Sequence, residues 1–285
     1  LIKTNVNKMK LAAVVIIYYP DDTFVKNIRT YIDDVEMLLV FDNSPFNTVE
    51  KQLENNTKIK YLWDGNNEGI AKRLNSAIEI CMKENFDFLL TMDQDSSFNT
   101  NDLKRYKSLI ENNAQDNIGM YGVLHDKSQL SSINDLYNFN RLLITSGSII
   151  PLANTKNLGE FNEDLYIDGV DTEYCLRIFN KKYNTILFNN IVLSHQIGTT
   201  TLTFTPSLKI EERKIHSPTR IYYITRNYFF LRKLYKNQLQ HLKLKNFLNE
   251  VKNGILYGNE KVNFIKNILK GYLDFKKNKM GKLCH

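Results

Sequence analysis

Short apolar runs that end at an aspartate or asparagine recur through the first third of the chain, and this pattern constrains the fold most strongly. The runs predicted to be strands are Leu11–Tyr19, Met37–Phe41, Ile59–Trp63 and Phe86–Met92. Stretches predicted to be helices separate them, at residues 22–34, 48–55 and 70–84. Strand–loop–helix units in series predict an open parallel sheet with helices on both faces. Ligands bind beyond the carboxyl ends of such strands, so we expect Asp42, Asn67 and Asp93 to converge there.

The second half of the chain has a more mixed pattern. We predict strands at Ile118–Leu124, Leu142–Ile150 and Thr185–His195, and a helix at Asp171–Lys181. Beyond Pro206 the apolar spacing predicts helices. The predicted organisation is therefore one α/β domain over residues 1–205, followed by a helical extension over residues 206–285. Within the domain, residues 10–100 and 101–205 would form the two halves.

Charge divides the chain at the same boundary. Residues 1–205 carry 20 Lys/Arg and 26 Asp/Glu, a net charge of −6, whereas residues 206–285 carry 18 and 5, a net of +13. A basic extension can bind nucleic acid, anionic lipid or a phosphorylated substrate, and charge alone does not choose between them. Apolar residues make up 42% of the chain, which excludes wholesale disorder.

Two further sequence features bound the class of protein. No apolar run approaches the ~20 residues of a membrane-spanning helix. The three cysteines are far apart, which argues against a disulfide framework or a cysteine zinc site and favours a reducing compartment.

Carboxylates follow two of the predicted strands. Asp93 and Asp95, two residues apart, could hold a divalent cation that grips a diphosphate, or could form an ordinary solvated turn. Asp42 could accept a hydrogen bond from a ribose hydroxyl or from the N3–H of a pyrimidine. The alternative for Asp42 is an Asx-turn in the sequence Asp-Asn-Ser-Pro.

Three other stretches could contribute chemistry. Asn67 and Gly69 open a helix whose backbone N–H groups could bind phosphate, or Asn67 could simply cap that helix. Asp168, Asp171 and Glu173 cluster where another helix begins, which suits a general base. The alternatives are capping by Asp171 and a surface pair between Glu173 and Arg177. His195 could complete a metal site or have a structural role.

The order of these features resembles a known family, the inverting family 2 glycosyltransferases, and within it the bacterial rhamnosyltransferase branch. The matching stretches are VVIIYYP, VFDNSP, NNEGIAKRLNSAIE, FDFLLTMDQDS, LLITSGSIIP, YIDGVDTEYCLR, LSHQIG and HSPTRIYYITRN. The resemblance spans about residues 10–230. It implies an α/β GT-A fold, a Rossmann-like nucleotide-diphospho-sugar transferase with a mixed, mainly parallel sheet and C-terminal helices.

The resemblance assigns the donor-binding residues. Asp42 would contact the base or ribose, and Tyr18 and Tyr19 would line the same pocket. Asn67 and Gly69 would lie along the nucleotide and the diphosphate. The nucleotide would be dTDP or UDP, since thymine and uracil both carry N3–H.

The resemblance also assigns the reacting centre. Asp93 would lie beside the ribose and the metal, Asp95 would ligate Mg²⁺ or Mn²⁺, and His195 would approach the metal or the diphosphate. Asp171 matches the usual catalytic base. The family's usual Glu-Asp pair reads Val-Asp here, so Asp168 stays open as an alternative base.

The sequence therefore predicts a metal-dependent inverting hexosyltransferase. The expected donor is dTDP-L-rhamnose, with another UDP-sugar as the alternative, and the expected acceptor is a cell-surface polysaccharide or a lipid-diphosphate-linked glycan. We expect a cytoplasmic protein with peripheral contact to the inner face of the membrane through residues 206–285, and a homodimer as a further partner. From a different class, a basic nucleic-acid-binding protein is the alternative, although the acidic body argues against nucleic acid as a partner. A sugar-nucleotide pyrophosphorylase ranks lower, because Tyr-Tyr-Pro-Asp-Asp replaces the Gly-rich basic loop that such an enzyme needs after its first strand.

Overall fold

The computed structural model describes residues 9–47, 49–113, 115–132, 136–195, 200–204, 210–242 and 244–283. The chain divides into two compact units. The first unit runs to Phe161 and also includes Arg177–His195, while the second comprises Asn162–Leu176 and the chain from residue 196 onward. This division differs from the expected boundary at residue 205, because the segment carrying Asp168 and Asp171 groups with the C-terminal helices.

The first unit begins with the predicted parallel sheet. Its strands are β1 (Leu11–Ile17), β2 (Met37–Asp42), β3 (Ile59–Trp63) and β4 (Phe88–Asp93). The connecting helices are α1 (Phe24–Ile28), α2 (Glu50–Leu53) and α3 (Gly69–Lys83). The strands pair in parallel in the order β3-β2-β1-β4. This order places the carboxyl ends of β1, β2 and β4 along one edge.

The same sheet continues through mixed pairings. The further strands are β5 (Ser96–Phe98), β6 (Ile118–Leu124), β7 (Tyr137–Phe139), β8 (Ser148–Pro151) and β9 (Asn184–His195). The helices between them are α4 (Asp102–Asn112) and α5 (Leu152–Leu158). β8 lies antiparallel between β4 and β6, β6 pairs in parallel with β9, and β5 and β7 pair antiparallel with β9. The expected mixed α/β sheet is confirmed.

The core of the first unit consists of apolar strands covered by helices on both faces. Every residue of β2 and of β6 is buried, as a strand inside a two-faced sheet requires. By contrast, every residue of β3, which ends the sheet order, is half-buried or exposed. Tyr106 and Tyr121 pack on Phe188, with ring centroids 5.7 and 6.2 Å away, under the far half of the sheet.

The second unit is mainly helical. It contains most of α6 (Val170–Asn180), whose last residues belong to the first unit. It also contains the antiparallel hairpin β10 (Thr200–Phe204) and β11 (Ile210–Lys214). The helices α7 (Pro218–Leu234), α8 (Leu244–Tyr257) and α9 (Lys261–Lys276) follow. Strand β11 lies beyond Pro206, in the stretch where the apolar spacing predicted helices.

Helices α7, α8 and α9 pack tightly on one another. A Cβ at Gly271 would lie 2.6 Å from the carbonyl oxygen of Tyr222, so the backbones of α9 and α7 come close together. The Tyr222 hydroxyl donates to Asp274 at 2.9 Å. Tyr228 stacks on Phe247 of α8, with ring centroids 4.4 Å apart. The aromatic side chains Tyr222 and Tyr228 of α7 thus pack on its neighbouring helices and are not the part of residues 206–285 left for contact with a membrane.

Several predicted elements differ from those observed, for local reasons. The predicted helix 22–34 breaks into α1 and a short 3-10 turn at Ile32–Asp34. The predicted strand Leu142–Ile150 begins only at Ser148, because Gly147 adopts a left-handed φ of +74°. Further 3-10 turns lie at Lys127–Ser132, Glu163–Leu165 and Lys236–His241. Within the described ranges, the helices are too short or too polar to cross a bilayer.

Candidate active site

The carboxyl ends of three neighbouring strands bring Asp42 and Asp93 to the same edge of the sheet. Ile17 of β1 pairs with Asp42 of β2, and Ile16 pairs with Asp93 of β4. Since adjacent strands lie ~4.8 Å apart, the Cα atoms of Asp42 and Asp93 are separated by roughly 10 Å. The two carboxylates therefore flank the loop that follows β1.

Backbone hydrogen bonds fasten that loop to the loops on either side. The Tyr18 N–H donates to Oε1 of Gln94 at 2.7 Å, and Nε2 of Gln94 donates back to the Tyr18 carbonyl at 3.3 Å. The Tyr19 N–H donates to Oγ of Ser44 at 2.8 Å. Both tyrosine rings are exposed and meet edge to face, with centroids 4.6 Å apart. The backbone of the loop is thus held in place, and its two exposed aromatic rings lie at the sheet edge.

Asp42 is wholly buried at the end of β2. Its Oδ1 accepts from the Ser44 N–H at 2.7 Å, which is the Asx-turn that the sequence left open, and its Oδ2 accepts from the Tyr61 hydroxyl at 2.6 Å. Burial raises the pKa of Tyr61 well above its usual value, and the hydrogen bond to Asp42 adds to this shift. A nucleoside would contact Asp42 only where the side chains that cover it move aside.

The start of α3 is built on an Asx-turn as well. Oδ1 of Asn67 accepts from the Gly69 N–H at 3.0 Å. Gly69 has a φ of +78°, in the left-handed region that favours glycine, and this bend turns the chain into α3. The Asn67 side chain therefore shapes the N-terminus of the helix by occupying one of its N–H groups.

A buried polar cluster that sequence reasoning missed joins this helix to β2. Oδ1 of Asn43 accepts from Nε of Arg73 at 2.8 Å and from the Glu68 N–H at 3.3 Å. Arg73 also donates to Asp64 at 2.8 Å and to the Asn66 carbonyl at 2.9 Å. The hydrogen bond from Arg73 holds the pKa of Asp64 below its usual value. Asn43 directly follows Asp42, so proximity to a candidate residue was the only sequence signal for it.

The Asp93–Asp95 turn leaves both carboxylates half-buried beside two buried serines. The Asp93 N–H donates to Oγ of Ser146 at 3.2 Å, and the Ser146 hydroxyl donates to Oγ of Ser96 at 2.8 Å. In β9 the backbone of His195 pairs with Ser96, so His195 lies next to this turn in the sheet. The side chain of His195 lies outside the described residues.

No group of three or more acidic, histidine or cysteine side chains that could hold a metal occurs within the described part of the chain. Two carboxylate oxygens fit an ion such as Mg²⁺, which keeps water and substrate phosphates as its other ligands. The donor set of the turn therefore suits a cation that arrives with a diphosphate.

In the second unit, the two candidate bases have different surroundings. Asp168 is held by Arg220, whose Nε lies 3.2 Å from both carboxylate oxygens and whose Nη2 lies 3.0 Å from Oδ1. Asp171, in the first turn of α6, accepts from the Thr172 N–H at 2.7 Å. Asp168 is therefore fastened to α7 through Arg220, whereas Asp171 is part of α6 itself.

The loop before α6 is bent and held by a buried asparagine. Tyr166, Asp168 and Gly169 have left-handed φ values of 64°, 59° and 84°. Nδ2 of Asn227 in α7 donates to the carbonyls of Leu165, Ile167 and Asp168 at 2.8–2.9 Å. Most of the stretch HSPTRIYYITRN, one of those that resemble the family, thus lies in α7, and this helix holds the loop that carries Asp168.

A surface ion pair between Glu173 and Arg177 would require Glu173 to be exposed, and it is not. It is buried, and its Oε1 accepts from the Tyr235 hydroxyl at 2.6 Å within the second unit. Arg177, in the first unit, donates to the carbonyl of Leu158 at 2.8 Å.

Two sequence comparisons both match this chain to glycosyltransferases. A family model described as glycosyl transferase family 2 matches residues 21–146. The dTDP-rhamnosyl transferase RfbF of Shigella flexneri is 28% identical over 241 residues, which cover 77% of this chain and 78% of RfbF.

Solved structures share the fold. S. aureus TarS 1–349 in complex with UDP-GlcNAc superposes with a TM-score of 0.59 at 17% identity, covering 94% of this chain and 80% of TarS 1–349. GalNAc-T7 with UDP, GalNAc and Mn²⁺ superposes with a TM-score of 0.54 at 13% identity, covering 88% of this chain and 58% of that one.

Proposed function

Through residues 21–146 the chain belongs to glycosyl transferase family 2, and we propose that it transfers L-rhamnose from dTDP-rhamnose with inversion at the anomeric carbon. The observation that carries the proposal is the hydrogen-bonded edge of the first unit. There the loops bearing Tyr18, Asp42 and Gly69 and the Asp93–Asp95 turn are fastened to one another. The choice of rhamnose and of dTDP is supported by the likeness to Shigella flexneri RfbF.

The donor nucleotide would lie along this edge. The exposed rings of Tyr18 and Tyr19 offer apolar faces for stacking on a pyrimidine base. Asp42 would accept a hydrogen bond from N3–H of the base or from the ribose once its covering side chains move. Asn67 and Gly69, at the start of α3, would lie beside the diphosphate.

Asp93 and Asp95 would hold the divalent cation, Mg²⁺ or Mn²⁺, with His195 as the third protein group near it. When bound, such an ion neutralises the charge that develops on the departing diphosphate. Support for a metal comes from the oxygen-rich donor set and from the Mn²⁺ in the GalNAc-T7 structure. The buried serines behind the turn, Ser96 and Ser146, would keep the two carboxylates in place.

Asp171 would act as the base. It would take the proton from an acceptor hydroxyl, whose oxygen then bonds to the anomeric carbon as the bond to the diphosphate breaks. The electron pair of that bond leaves with the nucleoside diphosphate. Asp171 is the residue that matches the family's usual base, and because Asp168 binds Arg220 of α7, we assign Asp168 to positioning the loop.

The acceptor would be a hydroxyl of a growing cell-surface glycan, free or carried on a lipid diphosphate. A lipid-linked acceptor would require the enzyme to work at the inner face of the membrane, as a peripheral protein.

Calorimetric titration of the full chain with nucleotide sugars tests the donor assignment. We expect dTDP-rhamnose to bind in the presence of Mn²⁺ and to bind at least ~10-fold more weakly with EDTA. UDP-GlcNAc, UDP-glucose and GDP-mannose serve as competitors. Tighter binding of a UDP-sugar would move the assignment to the alternative donor, and absence of binding by every donor would overturn the proposed function.

A further inference from the structure

Helix α9 carries an apolar stripe that faces away from the helices it packs on. Four exposed side chains form this stripe, with 43% to 67% of their surface accessible: Val262, Ile265, Leu269 and Leu273. Tyr272, beside them, packs edge to face on Phe229 of α7. At 3.6 residues per turn, the four stripe positions fall within an arc of about 80° along most of the helix. An exposed apolar face of this length is unusual and signals an interaction surface.

The packing of α9 within the second unit fixes the direction of the stripe. The opposite face of α9 is the one that contacts α7 and α8. There Phe264 packs against Gly254, Gly271 lies against the backbone of α7, and Asp274 accepts from Tyr222. The stripe is therefore not the face by which α9 joins its unit.

Lysines border the stripe on α9. Lys266 and Lys270 follow one edge, Lys261 lies near the other, and Lys276 projects from the last turn. Residues 261–283 contain seven lysines and a single acidic residue, Asp274, which is used internally. An apolar stripe between lysines matches the two layers of a membrane surface, apolar acyl chains below anionic headgroups.

Helix α8 exposes more apolar surface in the same unit. Leu244, Leu248 and Leu256 are each about half exposed. Its packing face carries Phe247, stacked on Tyr228, and Gly254, set against Phe264. The exposed leucines therefore lie away from that contact.

We propose that the exposed face of α9 docks the protein on a bilayer that contains anionic phospholipid. A second copy of the chain is a poorer occupant, because a two-fold interface through this face would bring the lysines of both copies together. The docking itself does not depend on the proposed function. If that function is right, the docking would hold the enzyme where a lipid-linked acceptor is presented.

Co-sedimentation of the full chain with vesicles tests the proposal. The vesicles are phosphatidylcholine alone and phosphatidylcholine mixed with phosphatidylglycerol. We expect the chain to sediment with the mixed vesicles and to stay in solution with phosphatidylcholine alone. The double variant Leu269→Gln/Leu273→Gln should bind about tenfold more weakly or worse. Its matched control is Leu130→Gln/Leu136→Gln, which alters two similarly exposed leucines of the first unit and should bind like the parent.

A second pair of variants tests the charge. Lys266→Gln/Lys270→Gln should weaken binding about fivefold for each lysine at low salt. Lys51→Gln/Lys83→Gln removes the same charge from the first unit and should leave binding unchanged. An unchanged melting temperature for each variant shows that the fold is retained.

Two results would overturn the docking proposal. One is equal behaviour of the parent with both vesicle types. The other is a dimer in solution that Leu269→Gln/Leu273→Gln converts to monomer, since a second copy would then be the occupant. Donor titration of the same preparations keeps the two proposals separate: vesicle binding without donor binding rejects only the proposed function, and donor binding without vesicle binding rejects only the docking.

Discussion

The guanidinium of Arg220 donates to both carboxylate oxygens of Asp168, and this pair lies at the start of the acidic segment before α6. Sequence alone left Asp168 and Asp171 as rival bases. The pair ties Asp168 to α7 and gives it a structural partner, while Asp171 matches the family's usual base.

Replacing each of the two aspartates in turn separates their roles. Asp171→Asn should lower kcat by about 10²–10⁴-fold, because the acceptor hydroxyl loses its base, while donor affinity stays as in the parent. Asp168→Asn should change kcat by less than ~10-fold and should cost at most about 1 kcal/mol of stability, since Arg220 is partly exposed. Transfer rates and donor titrations of both variants give the comparison. The reverse ranking of the two kcat values would make Asp168 the base.

Removing one carboxylate from the Asp93–Asp95 turn tests the metal assignment. Asp95→Asn should abolish the Mn²⁺-dependent part of donor binding and leave the weaker metal-independent part, because the amide is a poorer ligand for a hard cation. Isothermal titration with and without EDTA measures both parts. Asp126→Asn, an exposed aspartate, is the control and should titrate like the parent. Retention of the full Mn²⁺ effect in Asp95→Asn would remove Asp95 from the metal site.

The contact between α7 and α9 predicts a stability effect. In Gly271→Ala the new methyl group would lie 2.6 Å from the Tyr222 carbonyl oxygen and 3.3 Å from the Arg226 nitrogen. These are backbone atoms, so the helices must separate, at a cost of about 1–3 kcal/mol that outweighs the helix propensity gained from alanine. The melting temperature should fall by roughly 2–4 °C for each kcal/mol lost. Lys266→Ala, exposed on the same helix, should melt as the parent does, and an equal melting temperature for Gly271→Ala would contradict the close approach.

The ion pair between Arg73 and Asp64 predicts a pH dependence. The pKa of Asp64 is lowered in the folded protein, so the pair stabilises the fold above the unfolded pKa of ~3.9. That stabilisation is lost as the pH falls through the lower folded value. Because Asp64 is about half exposed, the effect should be below about 1 kcal/mol.

Chemical denaturation of the parent and of Asp64→Asn checks this dependence. The difference in free energy of unfolding between them should be largest near neutral pH and shrink toward zero below pH ~4. In an Arg73→Met background the same substitution should cost less at neutral pH, because only the hydrogen bond from the Asn66 N–H to the Asp64 carboxylate is still affected. A difference that grows on acidification would have the wrong sign.

Much of the first unit follows from the sequence, since β3 and β6 begin and end where the apolar runs predict. Buried parallel strands are readily predicted from a sequence because the side chains on both of their faces are apolar. The ends of the predicted strands then place Asp42 and Asp93 at one edge of the sheet. The Asn43–Arg73 cluster was not predictable, because its partners are 30 residues apart and nothing in their spacing marks them as a pair. The hairpin of β10 and β11 was missed for a different reason, as its polar residues carry little apolar periodicity.

Within the second unit, α7 also shows what the sequence predicts and what it does not. Its aromatic residues predicted an amphipathic helix, but periodicity cannot tell whether protein or lipid covers an apolar face. The contacts of Tyr222 and Tyr228 with α9 and α8 show that protein covers these side chains of α7, whereas α8 and α9 each keep an exposed apolar face.

Arg226 is fully buried in α7 and joins stretches that are distant along the chain. It donates to the carbonyls of Asp164 and Leu165 on one side and to that of Gly281 on the other. A chain that ends before Gly281 would therefore lack one hydrogen-bond acceptor of the buried Arg226 guanidinium. The segment just before Asp168, which Arg226 also binds, would then be held less firmly. Point substitutions, and affinity tags placed at the opposite terminus, are the safer tools for dissecting this enzyme.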